Sequence, residues 1–394
     1  MTLTQNPLCN PVCRVCHYKN LDYPTQLVRK QEWALQQLEY WKEALQVIRP
    51  APERERLAYR SKSWLRSSFQ GGVLSFGMYR SVQVLGRWEK EFVSWDSCPL
   101  HVRPIQQMIQ KLQKNILRED FEFLEQALVG LWMGSPHLVI VSRDPVLERM
   151  KQIDWASILV PPFDRVWFHS NSQVGKKIFG HRPIETVVGP PDHLIHSVVH
   201  PIRAFRQVAQ SLLVEARQMA LEALLRYRPD FVLDLYCGTG ELSQLLPPEI
   251  GWIGIEISKE AVIYANSLQS SSGALRAAFA GAVEHRLKDP NVLNKVNGSY
   301  SLYVNPPRSG LSEEAREKIL ILVREKPPLC IVYLSCSASS LSRDLRSFER
   351  EGFKVKFLQP YDFFPQTEHF ETLAILEHPP ITVPKSFHGR QETR

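Results

Sequence analysis

The alternation of strand and helix patterns that begins near residue 207 places the strongest constraint on the fold. A helical pattern over residues 208–227 leads into the apolar stretch "FVLDLY" and a turn "CGTG". Strand-like stretches then follow in order: "GWIGIEIS", "SYSLYVNPP", "LCIVYLSC" and "ETLAILEH". Strands that alternate with helices favour a doubly wound α/β sheet. We therefore predict an α/β domain over residues 201–394.

The turn after the first of these strands predicts a cofactor site. Asp234 lies near the strand end, Gly238 and Gly240 lie in a turn expected to open a helix, and Glu256 ends the next strand. An acid at that second position can accept hydrogen bonds from ribose hydroxyls. The dinucleotide fingerprint G-x-G-x-x-G does not fit, because Ser243 takes its third glycine position. The order of acid, G-x-G and second acid is instead typical of a class I S-adenosylmethionine-binding fold.

A thiol at the end of the strand "CIVYLSC" indicates covalent chemistry. Cys336 stands where open α/β sheets bind their ligands. Methylation of a pyrimidine at carbon 5 is a reaction that needs such a thiol. Carbon 5 becomes nucleophilic only after a group adds to carbon 6, and a thiolate suits that addition. Cys330, at the start of the same strand, is expected to be an inert packing residue, as is Cys237 in the glycine turn.

The same chemistry requires a base that removes the proton from carbon 5. Glu371 in "DFFPQTEHFETL" fits that requirement. The spacing alone leaves Glu368, His369 and Asp362 as alternatives.

Four early cysteines form a separate set. Cys9, Cys13 and Cys16 follow the spacing C-x3-C-x2-C, and Cys98 is distant in sequence. Cytosolic proteins rarely carry disulfide frameworks, so this set favours a metal. Four thiolates can hold either zinc or an iron–sulfur cluster. His17 is a further possible ligand for zinc.

The composition indicates which classes of binding partner the protein can have. The 48 Lys and Arg residues exceed the 41 acidic ones, which gives a net charge of +7 and favours a polyanionic partner. Residues 54–66 interleave basic side chains with Tyr59 and Trp64, which indicates an RNA-facing surface, with a plain solvated face as the alternative. The sequence shows neither an apolar run long enough for a membrane helix nor a signal peptide, so we expect a cytoplasmic protein without a membrane partner.

The pattern along the chain predicts three regions. Residues 1–50 form a cysteine-rich metal-cluster segment and a helix, which starts after Pro24 and extends through residue 45. Residues 51–200 form a smaller central α/β or β-rich RNA-recognition domain that contributes Cys98 to the cluster. Residues 201–394 form the methyltransferase domain.

In these residues the chain resembles the RNA uracil-5 methyltransferase family, most closely its 23S ribosomal RNA (RlmC-like) branch. The resemblance covers nearly the whole chain. It rests on the early cysteines and on the motifs "YRSK" (59–62), "FRQ" (205–207), "DLYCGTG", "VNPPRSG", "LSCSASSLSRDL" and "DFFPQTEHFETL". It implies an S-adenosylmethionine-dependent enzyme that makes 5-methyluridine in ribosomal RNA, with Cys336 as nucleophile and Glu371 as base.

The resemblance also implies the binding residues. Gln207, Glu256 and Asn305 are expected to line the S-adenosylmethionine pocket, with the turn that contains Asp234, Tyr236, Gly238 and Gly240 at its methionine end. Cys9, Cys13, Cys16 and Cys98 are expected to hold a structural [4Fe–4S] cluster, with zinc as the alternative. A monomer is expected.

Three positions depart from the family pattern. Ser337 stands where the family usually has Asn after the catalytic cysteine, Ala209 replaces an Asn, and Ala282 replaces an acid that often contacts adenine. These departures keep a noncatalytic RNA-binding scaffold open as an alternative. Transfer RNA is the alternative substrate, because the chemistry would be the same.

Overall fold

The computed structural model describes residues 2–115, 124, 128–132, 136–143, 146–171, 182, 184–189, 210–269 and 273–378. Within these residues the chain forms two seven-stranded sheets, one in the central region and one in the carboxyl-terminal region. No helix in these ranges is both long and apolar enough to cross a membrane.

The first sheet is mainly antiparallel and has the strand order β3-β2-β1-β4-β5-β6-β7. Only β5 and β6 pair in parallel within it. Its strands are β1 (Lys62–Gln70), β2 (Val73–Val84), β3 (Arg87–Ser94), β4 (Leu128–Trp132), β5 (His137–Ser142), β6 (Val166–Ser170) and β7 (Glu185–Val188). This arrangement agrees with the predicted small mixed or β-rich central region.

One face of the first sheet is covered by helix α2 (Arg103–Asn115) and by the short helices α3 (Leu147–Lys151) and α4 (Trp155–Ile158). The apolar residues of α2 recur three and four apart, so they form a stripe that packs into a core with Leu65 and Phe76 of the sheet. The central region therefore has its own hydrophobic core.

The second sheet has the order β10-β9-β8-β11-β12-β14-β13. Strands β8, β9, β10, β11 and β12 pair with one another in parallel. Strand β14 runs antiparallel to both β12 and β13. Its strands are β8 (Phe231–Leu235), β9 (Gly251–Glu256), β10 (Arg276–Ala280), β11 (Tyr300–Val304), β12 (Cys330–Ser335), β13 (Lys354–Tyr361) and β14 (Glu371–Glu377). The predicted doubly wound α/β sheet is confirmed.

Helices cover both faces of the second sheet, with a separate hydrophobic core on each. They are α5 (Gln210–Leu225), α6 (Lys259–Ser267), α7 (Val283–Arg286), α8 (Pro290–Leu293), α9 (Glu313–Glu325) and α10 (Ala338–Arg350). Strand β12 is buried at every position, because a central parallel strand packs helices on both sides. Its continuous apolar sequence follows from that position.

The predicted helix after the glycine turn was wrong. The chain forms only a short 3-10 turn at Ser243–Leu245 before Pro247 and Pro248. Proline lacks the backbone N–H that a helix needs and disfavours helical geometry in the preceding residue. The segment between Gly240 and Pro247 is therefore too short for a helix.

The amino-terminal helix packs on the second sheet. Helix α1 (Tyr23–Gln37) begins where the Asp22 side chain accepts a hydrogen bond from the Thr25 backbone, and it ends earlier than the predicted residue 45. Beyond it, Leu45 and Arg49 form bridges with strand β13. Leu38, Trp41 and Ile48 belong to a core of that sheet. The domain boundary at residue 50 stays a prediction.

Candidate active site

Five of the predicted site residues lie at one edge of the second sheet. Tyr236, Glu256, Asn305 and Cys336 stand at the carboxyl ends of β8, β9, β11 and β12, which pair in parallel. Glu371 begins the antiparallel strand β14, so it lies at the same edge. The carboxyl edge of an open α/β sheet is where ligands bind. The sequence-based expectation that these residues converge agrees with this placement.

The glycine turn has a strained, open backbone. Tyr236, Gly238 and Gly240 all adopt left-handed conformations, with φ of +63°, +55° and +71°. A side chain at Gly238 would meet no atom within 4 Å, so its backbone faces open space. The Glu256 carboxylate accepts hydrogen bonds from the backbone N–H of Gly238 (3.2 Å) and of Ser258 (2.9 Å). This acid is therefore held directly beside the turn.

Asp234 is buried next to the turn. One of its carboxylate oxygens accepts a hydrogen bond from Trp252 Nε1 at 3.2 Å, while Oδ1 has no partner among the described residues. Burial raises the pKa of this carboxyl to about 7; the nearby charge of Glu256 also raises it, while Trp252 lowers it. A buried acceptor without a partner, beside the open backbone at Gly238, fits a bound polar ligand.

Asn305 and Gln207 are the remaining predicted cofactor-binding residues. The Asn305 backbone N–H donates to the Leu235 carbonyl at 3.2 Å, and its side chain is exposed at the sheet edge. Gln207 lies outside the described residues, as does Ala209.

Cys336 and Glu371 lie opposite each other. The antiparallel register pairs Ser335 with Thr372, so each of the two residues stands one position beyond that pair. The pKa of the Cys336 thiol is raised to about 11, mainly by burial and also by the charge of Glu371, while the charge of Arg308 lowers it. The thiol is therefore mainly protonated at neutral pH, and Arg308 is the cation that favours its thiolate.

The structure separates the alternative bases. Asp362 is fully buried in an ion pair with Lys30. Glu368 is exposed to solvent. His369 lies against Arg308, with 3.0 Å between Nδ1 and Nη2, and burial together with Arg308 lowers its pKa. Glu371 is almost completely buried and its charge acts directly on the thiol.

Two departures from the family pattern, Ser337 and Ala282, each lie immediately before a helix. The Ser337 side chain caps helix α10 by accepting a hydrogen bond from the Ser340 backbone N–H. Serine and asparagine are equally good at this position, so the local structure after Cys336 is kept. Ala282 stands at the first turn of α7, near the end of β10, and supplies no capping side chain.

The four early cysteines share one cavity. Cys9, Cys13, Cys16 and Cys98 line it together with Lys19. Burial raises the pKa of Cys16 to about 12, whereas the charge of the neighbouring Arg60 lowers it. Within the described ranges, no three His, Cys, Asp or Glu side chains are arranged closely enough to hold a metal ion. The four predicted ligands thus line one cavity, and their role as metal ligands stays a prediction.

His17 is directed elsewhere. It does not line the cysteine cavity, and its ring lies edge-on to that of His369, with 6.0 Å between centroids. This placement argues against His17 as a zinc ligand.

The predicted RNA-facing surface at residues 54–66 is only partly exposed: Tyr59, Ser63 and Leu65 are buried, whereas Arg54 is exposed. Tyr59 is buried and its hydroxyl donates to the Pro365 carbonyl at 3.0 Å. The Arg56 guanidinium lies 4.1 Å above the Tyr23 ring. The Trp64 ring packs against Gly130. Tyr59 is therefore removed from the predicted RNA surface, because its ring and hydroxyl contact other parts of the protein, while RNA binding by the exposed Arg54 stays a prediction.

The chain is similar to known RNA methyltransferases. Residues 202–379, slightly less than half of the chain, match the family model of tRNA (Uracil-5-)-methyltransferase. An RNA methyltransferase of Halalkalibacterium halodurans is 26% identical over 387 residues, covering 93% of this chain and 81% of that protein. One of Nostoc sp. is 25% identical and covers 92% and 80%. One of Caldanaerobacter subterraneus is 37% identical, but over 37% of this chain and 31% of that protein.

A solved structure shows the same fold. The tRNA (uracil-54, C5)-methyltransferase of Pyrococcus abyssi, in complex with S-adenosyl-L-homocysteine, aligns with a TM-score of 0.65 and 16% identity. The alignment covers 93% of this chain and 86% of that one. The comparisons support an enzyme of the uracil-5 RNA methyltransferase family that takes its methyl group from S-adenosylmethionine.

Proposed function

We propose that this enzyme methylates carbon 5 of a specific uridine in 23S ribosomal RNA in the cytoplasm, through a covalent adduct between Cys336 and carbon 6 of the base. The observation that carries the mechanism is the direct opposition of Cys336 and Glu371 at the sheet edge. The motifs that resemble the ribosomal branch support the substrate. The target base must leave its stack to reach a thiol at this depth.

Cys336 begins and ends the reaction. Its thiolate sulfur forms a bond with carbon 6, and the electron pair of the double bond moves towards carbon 5 and the carbon 4 carbonyl. S-adenosylmethionine, when bound, supplies the electrophilic methyl group that carbon 5 takes up. Glu371 then accepts the carbon 5 proton, the double bond re-forms, and the bond from sulfur to carbon 6 breaks to return the thiolate. The proton passes from Glu371 to solvent.

The residues proposed to bind S-adenosylmethionine follow from the turn. The open backbone at Gly238 and the unpaired Asp234 oxygen fit a polar ligand. We assign the methionine end to Asp234, Tyr236, Gly238 and Gly240, the ribose to Glu256, and the rest of the pocket to Asn305 and Gln207.

The early cysteines are proposed to hold a [4Fe–4S] cluster with a structural role, with zinc as the alternative. Their shared cavity supports a four-thiolate site. Arg60 and Lys19 also support it, because each lowers a cysteine pKa and offsets the negative charge of thiolates.

Transfer RNA is the second candidate substrate. The observation in its favour is the fold shared with an enzyme whose substrate is uracil 54 of tRNA. A noncatalytic scaffold is disfavoured, because Ser337 preserves the local structure after Cys336.

Nucleoside analysis decides between the substrates. The protein is incubated with labelled S-adenosylmethionine and with separated ribosomal and transfer RNA that lack 5-methyluridine. Label in 5-methyluridine from 23S ribosomal RNA is the expected result. Label only in transfer RNA would replace the proposed substrate but keep the chemistry, and label in another nucleoside would contradict both.

A further inference from the structure

The buried face of helix α1 is polar where a helix ordinarily packs apolar side chains. Gln26, Lys30 and Ala34 are all fully buried and stand four residues apart, so they form one stripe. Burial of an ammonium group costs several kcal/mol, and an apolar pair in the place of a buried ion pair is often at least as stable. Stability alone therefore does not account for Lys30 at this position.

Lys30 and Gln26 both bind the loop of residues 362–370, which connects β13 to β14. Lys30 Nζ forms an ion pair with the Asp362 carboxylate and donates to the Phe364 carbonyl at 3.0 Å. Gln26 Nε2 donates to Gln366 Oε1 at 3.0 Å, and the Gln366 backbone N–H donates to Gln26 Oε1 at 2.9 Å. Two adjacent turns of one helix thus hold two points of the same loop.

The loop is held in a conformation that it would not favour by itself. Gln366 is buried and left-handed, with φ of +72°, which costs a non-glycine residue roughly 1 kcal/mol or more. Such a conformation persists only where surrounding contacts determine it. Further contacts come from the Tyr18 N–H to the Gln366 carbonyl (3.0 Å) and from the Tyr59 hydroxyl to the Pro365 carbonyl (3.0 Å).

The loop ends at Glu371. Tyr361 and Glu371 form the last pair of the β13–β14 ladder, so Asp362 leaves the ladder immediately beside Glu371. A shift of the loop would therefore move Glu371 relative to Cys336.

We propose that Gln26 and Lys30 are positioning residues for Glu371, and that they hold the 362–370 loop so that its carboxylate meets the carbon 5 proton of the Cys336 adduct. This inference rests on the proposed function, because it assumes that Glu371 is the base. Neither residue touches RNA or cofactor in this role. Loss of either one should slow adduct breakdown and leave adduct formation nearly unchanged.

The test uses the whole enzyme and the RNA identified above. The variants are Gln26→Met and the double variant Lys30→Met/Asp362→Asn, which removes both charges and so avoids an unpaired buried ion. We expect the covalent RNA adduct to accumulate on denaturing gels and kcat to fall roughly 10- to 100-fold, because small misplacements of a catalytic group have effects of this size. KM for RNA should remain within about threefold.

Two controls separate the outcomes. Arg226→Met removes an ion pair with Glu377, at the opposite end of strand β14, and should not accumulate adduct. Glu371→Gln must trap adduct in the same gel; if it does not, the proposed function fails. Suppose instead that Glu371→Gln does trap adduct. If the folded Gln26 and Lys30 variants then turn over without accumulating adduct, or lose only thermal stability, the positioning role is overturned. A double variant that does not fold leaves Gln26→Met to decide.

Discussion

The Cys336 thiol and the Glu371 carboxylate face each other at one edge of the sheet, because the antiparallel register of β12 and β14 ends with Ser335 paired to Thr372. The Glu371 charge raises the pKa of the thiol, and the Arg308 charge lowers it. An acid and a nucleophile in this arrangement can divide one reaction between them, with the thiol adding to the base and the carboxylate removing a proton afterwards.

The first prediction separates the two roles. Cys336→Ala should reduce methylation below detection, because among the described residues Cys336 is the thiol that stands in register with Glu371, while RNA binding should change little. Glu371→Gln should slow proton removal by about 10²- to 10⁴-fold and trap a covalent RNA adduct. Denaturing gels and filter binding measure both. Turnover by Cys336→Ala would refute the nucleophile assignment.

The second prediction concerns the pKa of Cys336. Burial and the Glu371 charge raise this pKa and the Arg308 charge lowers it, with a net value of about 11. Glu371→Gln should therefore shift the pH profile of Cys336 alkylation by iodoacetamide to lower pH, and Arg308→Met should shift it to higher pH. In the unchanged enzyme the alkylation rate should still be rising at pH 10. Mass spectrometry of the Cys336 peptide gives the rates.

The third prediction is a pH-dependent stability. The pKa of Asp234 is near its usual value of 3.8 in the unfolded chain and about 7 in the folded protein. Between these values the unfolded chain releases a proton that the folded protein retains, so this group destabilises the fold increasingly as pH rises from 4 to 7. Asp234→Asn removes that dependence. Its unfolding free energy relative to the unchanged protein should rise by up to roughly 4 kcal/mol over this range.

Urea unfolding at pH 5, 6, 7 and 8 measures this difference. Most of the change should occur between pH 5 and 7, with little above. A difference between the two proteins that stays constant with pH would show that Asp234 is ionised in the fold throughout.

The fourth prediction tests the Ser337 cap. Ser337→Ala removes the side chain that caps helix α10 and should destabilise the protein by about 1 kcal/mol. Ser337→Asn should be close to neutral, because asparagine caps helices equally well. Chemical denaturation compares them. Equal losses for both variants would show that the hydroxyl has a role other than capping.

The fifth prediction concerns the cysteine cavity. Anaerobic preparations should be brown and bleach in air, and Cys98→Ser should lose most of the iron. Cys330→Ala should retain it, because Cys330 lies buried in the second sheet and donates to the Ala223 carbonyl. Iron, sulfide and zinc analysis provides the measurement. Colourless protein with stoichiometric zinc would replace the cluster with the alternative metal.

Much of the methyltransferase region was predictable from sequence. The apolar runs of β8, β9, β11, β12 and β14 are local patterns, and a parallel sheet brings the residues that follow its strands to one edge. For that reason Glu256, Asn305 and Cys336 could be placed near one another without coordinates. The helix after Gly240 was predicted wrongly, because a glycine turn was weighed more heavily than the prolines that follow it.

The choice among the four candidate bases could not be predicted, because it depends on contacts between residues distant in sequence. Asp362, Glu368, His369 and Glu371 stand close together in the chain, and no spacing rule separates them. Packing does, because helix α1 buries Lys30 against Asp362 while the register of β14 turns Glu371 towards Cys336. Local periodicity was enough to predict which segments form the strands of the second sheet and which side chains end them. The environments of these carboxylates came from tertiary contacts, because Lys30 lies 332 residues from Asp362, and burial and charge there set which carboxylate faces the thiol.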